Sequence, residues 1–322
     1  MKVFITRQIP GTALEELKKV HQVEIWPGPG TIPRDVLLKK VTGVSAVISM
    51  LTEKIDSEFM DAAGPDLKIV ANYAVGFDNI DLNSARQKNI AVTNTPSRLG
   101  DSVAELTVAL IMALSRRIVE SDKWMREGNY TAWDPSLFLG LDLSGKTIGI
   151  VGLGTIGLAT ARLADSVLGM KVIYAARAEK PEAGAFGWKF VKLPQLLSES
   201  DVVSMHVPLA PETRHMIGKE QLGLMKNSAI LINTSRGPVI DEAALYEALA
   251  NKRIWGAAID VYENETGLTD DSTWWKMTKL SNIIMTPHIG SATEESRAEM
   301  TKIAVENVLA VLSGSPSLNP VS

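Results

Sequence analysis

Thr147-Ile148-Gly149-Ile150-Val151-Gly152-Leu153-Gly154-Thr155-Ile156-Gly157 decides the fold of this chain. A short apolar, β-branched run enters a Gly-x-Gly-x-x-Gly turn, residues 158–165 continue at helical spacing, and a second strand-like run follows at 171–175. Three glycines alone are an ordinary turn. Set between a strand, a helix and a second strand, they form the phosphate-binding turn of a dinucleotide fold. Gly152 permits the tight turn, Gly154 lets the backbone approach a pyrophosphate, and Gly157 lets helix and strand pack closely. The amides that open the following helix then point at the phosphates, with Thr155 and Ile156 in the loop just before it. The adenosine ribose is met about 20 residues further on, usually by Asp or Glu. Here that place reads Ala175-Ala176-Arg177, so nothing repels a 2′-phosphate and Arg177 faces it: NADP is expected over NAD.

Working outward, strand-like runs recur at 201–207, 229–233, 256–261 and 283–286, which with 147–153 and 171–175 make a six-stranded sheet. Before them lie five more, at 2–6, 22–26, 46–50, 68–71 and 90–93, separated by helical segments. The alternation predicts α/β architecture with two parallel sheets. Residues 101–117 are apolar enough for a long bridging helix, with Asp101 or Ser102 as its N-cap. Residues 128–145 show neither period and are expected as an ordered surface loop, and 293–312 read as a helix ended by Gly314 and Pro316. If that last helix returns to the first sheet, residues 1–98 and 291–322 form one domain and 99–290 an inserted second one.

Length fits two cores, since single domains mostly run about 100–200 residues. The net charge is −4 and the 33 Lys and Arg are spread along the chain, which argues against nucleic acid as a partner. The absence of Cys excludes disulfides, thiolate metal sites and cysteine nucleophiles, and no metal site is expected. The N-terminus enters a strand directly and no apolar stretch is long enough to span a bilayer, so a cytoplasmic location without membrane attachment is expected.

Three strand ends carry chemistry. The run 229–233 ends in Thr234-Ser235-Arg236-Gly237, at the sheet edge where open α/β folds hold ligands, and a guanidinium can grip a carboxylate through two parallel hydrogen bonds. The run 256–261 leads into Asp260-Val261-Tyr262-Glu263-Asn264-Glu265, and 283–286 into Pro287-His288-Ile289-Gly290. An imidazole suits proton transfer near neutral pH, and a neighbouring carboxylate fixes its tautomer. Singly, such an Arg is more often a surface residue and such a His a structural one. Together, and with the Gly loop, these strings resemble the D-isomer-specific 2-hydroxyacid dehydrogenase family over essentially the whole chain, nearest to its glyoxylate/hydroxypyruvate reductases.

The resemblance implies a Rossmann-type doubly wound sheet inserted into a smaller flavodoxin-like α/β substrate domain. It implies NAD(P)H-dependent reduction of a small 2-keto acid, with His288 as proton donor, Glu265 supporting it, and Arg236 holding the carboxylate and polarising the carbonyl. The string Asn72-Tyr73-Ala74-Val75-Gly76-Phe77-Asp78-Asn79-Ile80-Asp81 is similar to the family's substrate loop, in which the amides of Val75 and Gly76 hold the carboxylate. Leu51 and Thr52 match the small-substrate reductases. Further cofactor contacts are implied at Val103, Val207, Pro208, Thr213, Thr234, Ser235, Asp260 and Gly290, as is a homodimer with the 101–117 helix at its seam. The family usually follows its Glu with Pro, whereas here Thr266-Gly267 follows, with Asp270-Asp271 beyond, implying a looser loop. His206 reads as strand-end scaffold, His21 and His215 have no motif, and Trp274 and Trp275 read as packing. A phosphite dehydrogenase is a related alternative, disfavoured because Val75 stands where that relative has Lys. A non-catalytic dinucleotide-sensing corepressor is another, against which the intact Arg236, Glu265 and His288 argue.

Overall fold

A computed structural model describes residues 1–96, 99–265 and 272–321, Leu99 by its backbone only. They form two compact units, one from Met1–Leu99 with Ser291–Ser322, the other from Gly100–Gly290.

The first unit holds strands β1 (Lys2–Ile5), β2 (Gln22–Ile25), β3 (Ala46–Ser49), β4 (Ile69–Asn72) and β5 (Ala91–Thr93), all parallel, in the order β2-β1-β3-β4-β5. That is the flavodoxin-like order. Helices α1 (Leu14–Val20), α2 (Arg34–Lys40), α3 (Ser57–Ala63) and α4 (Leu82–Gln87) connect the strands. Asp56 and Asp81 cap α3 and α4, accepting from Phe59 N at 3.1 Å and from Asn83 N and Ser84 N at 3.0 Å. Strands buried on both faces read as continuous apolar runs, and the two-residue period divides them. Ile5, Ile48 and Ile69 face one core, Phe4, Val47 and Val70 the other. The long C-terminal helix closes the first core with Met300, Ala304 and Val308. Each fully buried Val, Ile, Phe or Met side chain among them contributes about 1.5–3 kcal/mol.

In the second unit, α5 (Leu99–Ser115) and α6 (Ile118–Arg126) precede β6 (Thr147–Val151), α7 (Thr155–Ser166), β7 (Lys171–Ala175), α8 (Pro181–Gly184), β8 (Lys189–Phe190), α9 (Leu193–Glu199) and β9 (Val202–Met205). Then come α10 (Lys219–Leu224), β10 (Ile230–Asn233), α11 (Glu242–Ala250), β11 (Gly256–Ile259), α12 (Thr273–Met277) and β12 (Ile283–Met285), before the chain returns to the first unit as α13 (Glu294–Leu312). The sheet is parallel, ordered β12-β11-β10-β9-β6-β7-β8. Its direction of winding reverses at β6, where a Rossmann sheet holds its ligand. One core covers each face, Val203, Leu231 and Ile259 on one side and Ile148, Ile150 and Ile232 on the other.

The structure departs from the expected elements in four places. The second sheet has a seventh strand, β8, whose two exposed residues at the sheet edge are too few to show a period. Helix α5 begins at Leu99, so Asp101 and Ser102 are not caps; Asp101 lies in the first turn, where its charge complements the helix dipole. Helix α7 begins at Thr155 rather than 158, because Gly154 is its N-cap. Beyond α5, Arg117 turns left-handed at φ 52° and a separate helix, α6, follows where none was assigned. Residues 128–145 contain neither helix nor strand. No described helix is long and apolar enough to cross a membrane.

Candidate active site

The glycine turn leaves β6 at the point where winding reverses. Gly152 adopts φ +96°, and a Cβ there would stand 2.6 Å from the His206 carbonyl, so no other residue fits without moving the β9 end. A Cβ on Gly157 would overlap the Gly152 carbonyl, whereas Gly154 faces open space. Because Gly154 offers no capping side chain, the first-turn amides of Thr155, Ile156 and Gly157 remain available to an anion, aided by the helix dipole. Ala176 and Arg177 follow β7. Arg177 is exposed, and no described residue forms a hydrogen bond or ion pair with it. Val207 packs on Gly152, and Pro208 accepts through its carbonyl from Thr213 Oγ1 at 2.7 Å. That hydroxyl also accepts from Ala210 N at 2.8 Å, so Thr213 pins the loop after β9.

At the end of β10, Asn233 Oδ1 accepts from Ser235 N at 3.0 Å and Ser235 Oγ at 2.8 Å, and its Nδ2 donates to the Arg236 carbonyl at 3.0 Å. This side-chain turn shapes the loop that carries Arg236. Asn233 was not singled out in the sequence, although Asn followed by Thr-Ser at a strand end is the signature of such a turn. Thr234 Oγ1 meets Thr107 Oγ1 at 2.9 Å, fastening the loop to α5. Gly237 lies against the Tyr262–Glu263 backbone with no room for a Cβ, so the loops after β10 and β11 are packed together.

His288 follows β12 in the left-handed region, φ 54°. Its Nδ1 stands 2.9 Å from Glu265 Oε2 and 3.1 Å from Oε1, and Glu265 Oε1 also accepts from Tyr262 N at 3.3 Å. A carboxylate only accepts, so Nδ1 donates and Nε2 is left to carry or release a proton. Asp260 braces the same loop. Its carboxylate, 1% exposed, accepts from Thr286 Oγ1 at 2.5 Å, Ile289 N at 2.9 Å and Gly290 N at 2.8 Å, and its carbonyl accepts from His288 N at 3.0 Å. Burial raises its carboxyl pKa, against the pull of these donors and of His288. One lone pair on Oδ2 stays open to a further donor. The expected cofactor residues Val103 and Gly290 lie against each other beside it.

In the first unit, the 73–76 turn follows β4. The carbonyls of Ala74, Val75 and Gly76 accept from Thr95 N at 2.9 Å, Asn94 Nδ2 at 2.7 Å and Asn72 Nδ2 at 2.8 Å. Among the described residues nothing accepts from the amides of Val75 and Gly76. Both amides are therefore available to an outside acceptor. Leu51 and Thr52, half-buried, occupy the loop after β3.

His206 and His215 are otherwise engaged. Burial pushes the His206 imidazole down to about 3, so it is uncharged near neutrality, with Nε2 2.8 Å from Ser204 Oγ. His215 pairs with Glu263 at 3.0 Å. Trp274 packs edge-on to Tyr262 against the core, and Lys279 lies over Trp275. Thr266, Gly267, Asp270 and Asp271 lie outside the described residues.

The model for the D-isomer specific 2-hydroxyacid dehydrogenase, NAD binding domain, matches residues 108–290. A glyoxylate reductase from Thermococcus litoralis is 48% identical over 318 residues, 97% of this chain and 94% of that protein. A solved structure from Thermus thermophilus superposes with a TM-score of 0.93 at 44% identity, over 100% of both chains. A D-lactate dehydrogenase from Aquifex aeolicus, complexed with NAD and lactic acid, superposes with a TM-score of 0.85 at 31% identity, over 98% of this chain and 96% of that one. The glycine turn after β6, the His288–Glu265 pair and Arg236 thus sit in a chain that belongs to the D-isomer specific 2-hydroxyacid dehydrogenase family, an NAD(P)-binding oxidoreductase.

Proposed function

We propose that the protein reduces a small 2-keto acid, glyoxylate or hydroxypyruvate, to the 2-hydroxy acid, of D configuration where the product is chiral, with NADPH preferred to NADH. The His288–Glu265 pair carries this reading, because it leaves one imidazole nitrogen free for a proton beside a sheet edge built for a dinucleotide. The glyoxylate reductase from Thermococcus litoralis, matched along nearly its full length, supports the substrate. The uncapped start of α7 fits the pyrophosphate, and Arg177, free and exposed after β7, fits a 2′-phosphate.

When bound, the reduced nicotinamide supplies the hydride. His288, protonated on Nε2 while Nδ1 donates to Glu265, gives its proton to the carbonyl oxygen. Arg236 binds the substrate carboxylate and polarises the carbonyl, so that charge developing on oxygen meets a fixed cation. In the first unit the amides of Val75 and Gly76 serve as carboxylate donors. Asp260 holds the His288 loop, and its last lone pair would be open to a donor of the cofactor. Leu51 and Thr52 leave room for a short substituent only. We place this chemistry in the cytoplasm, where nicotinamide coenzymes are regenerated.

The protein acts as a homodimer joined along α5 and α6. Met112, Ile118, Val119 and Met125, apolar side chains on these two helices, are each 44% exposed or more, and a second copy would cover them. A groove of about 800 Å³, lined by Leu114, Val119, Leu139, Trp255 and Leu280, lies next to it.

The test is loss of the reduced cofactor's near-ultraviolet absorbance on mixing the protein with NADPH or NADH and glyoxylate, hydroxypyruvate or pyruvate. Faster loss with NADPH and either of the first two is expected. No loss with any pair overturns the reading.

A further inference from the structure

The 50–53 loop and the 73–76 turn leave adjacent strands, β3 and β4, at the same edge of the first sheet. Asn79 spans them. Its Nδ2 donates to the Glu53 carbonyl at 2.9 Å and the Met50 carbonyl at 3.2 Å, and its Oδ1 accepts from Asn72 Nδ2 at 3.2 Å. Asn72 in turn donates to the Gly76 carbonyl at 2.8 Å and accepts from Ser49 Oγ at 3.0 Å. The backbone ties the same two segments: Ile55 N donates to the Asn79 carbonyl at 2.9 Å, and Ile55 bridges Ile80 in parallel.

Behind Asn79 the 50–53 loop is closed on itself. The Glu53 carboxylate, in a residue 2% exposed, accepts from Met50 N at 2.5 Å, Thr6 Oγ1 at 2.8 Å and Thr52 Oγ1 at 3.0 Å, with Arg7 3.9 Å away. Leu51 is therefore carried on a loop with little freedom of its own, and its distance from the Val75 and Gly76 amides is set where the loop is anchored to the turn. Only a carboxamide can serve there, because the position needs donors toward two carbonyls and an acceptor toward Asn72 at once.

We propose that Asn79 is the positioning residue that fixes the 50–53 loop against the 73–76 turn, and thereby confines the enzyme to small 2-keto acids. The inference rests on the reading above, in which Val75 and Gly76 hold the carboxylate and Leu51 bounds the substituent. Asn79 touches neither substrate nor cofactor; it acts through the two segments it joins.

The test compares Asn79→Asp and Asn79→Ala with the wild type. Asp keeps the shape but turns a carboxylate oxygen toward the Met50 and Glu53 carbonyls, and Ala removes the bridge. Loss of the two hydrogen bonds to the 50–53 loop is expected to raise KM for glyoxylate roughly tenfold, with kcat held within about threefold. Preference in kcat/KM for glyoxylate over 2-ketobutyrate falls roughly tenfold as the loop slackens. NADPH affinity, read by cofactor fluorescence, stays unchanged. Asn79→Ser, which keeps a shorter donor, gives the same readout should the Ala variant not fold. Unchanged KM and selectivity, or a fall in kcat and in NADPH affinity that accompanies the rise in KM, overturns the assignment. A wild type that reduces no keto acid overturns the functional reading itself, whereas an active wild type with unaltered variants overturns only this inference.

Discussion

Replacing Asp260 by Asn isolates the brace beneath His288, the proposed proton donor. The carboxylate serves three donors, Thr286 Oγ1, Ile289 N and Gly290 N. An amide oxygen accepts two hydrogen bonds, and the Thr286 hydroxyl can turn to accept from the new NH2, but one loop amide is left facing a donor. A buried unsatisfied amide costs about 1–3 kcal/mol. Weakening the other bonds from charge-assisted to neutral adds to that loss, and removing a carboxylate whose burial is unfavourable offsets part of it. The net expectation is about 2 kcal/mol, or a fall in melting temperature of about 4–8 °C for a unit of this size. His288 is held at φ 54°, a conformation costing on the order of 1–2 kcal/mol in a non-glycine residue, so a slackened loop lets it relax away from the reacting position. Turnover should then drop roughly 10- to 100-fold. Differential scanning fluorimetry and the reduced-cofactor absorbance assay measure both. A variant that melts within a degree of the wild type and turns over at its rate would refute the bracing argument.

Replacing His288 with Ala should lower kcat on the order of a thousandfold while NADPH still quenches or enhances fluorescence at the same concentration; intact turnover would remove His288 from the mechanism. Arg236→Ala is expected to raise KM for keto acids as well as lower kcat, separable by saturation kinetics. Asp201 bears on pH. Burial raises its carboxyl pKa, but the Thr147 amide at 2.9 Å and the Lys226 ammonium at 3.0 Å outweigh burial and leave it lowered. Its stabilisation is therefore present above the unfolded-state value of about 3.9 and is lost as pH falls through the folded one. Asp201→Asn should melt lower than the wild type at neutral pH, by about 1–2 kcal/mol, and the gap should close on acidification; a constant gap would count against the linkage.

The glycine turn and the parallel strands were legible because their signals are local. Gly152 must turn at φ +96°, and strands buried on both faces spell themselves as Val, Ile and Ala. Helix α6 was missed because Ile118, Val119 and Met125 alternate with charges and bury nothing within the chain, and β8 because two residues carry no period. Arg236, Glu265 and His288 were named from motifs, but the pairing of Glu265 with His288, 23 residues apart, exists only once β11 and β12 lie side by side. Asp260 shows the limit of motif reading: its position marks it as part of the site, yet which amides its carboxylate holds is a property of the folded loop. Asn79 was quoted within a motif and its bridging contacts were invisible, because the partners are carbonyls, which every residue has.

The first unit is made from both ends of the chain, and α13 supplies Met300, Ala304 and Val308 to the core face that Ile5, Ile48 and Ile69 present. During synthesis that face emerges early and waits for the whole second unit before its cover is made. At about 5–20 residues per second the delay is about 10–45 s. The Gly100–Gly290 unit has no such wait, since its sheet is complete when β12 has emerged. Newborn chains therefore carry a finished nucleotide-type fold beside an open, sticky half-sheet. A ribosome stalled before residue 294 would leave that half-sheet as the surface a chaperone has to hold.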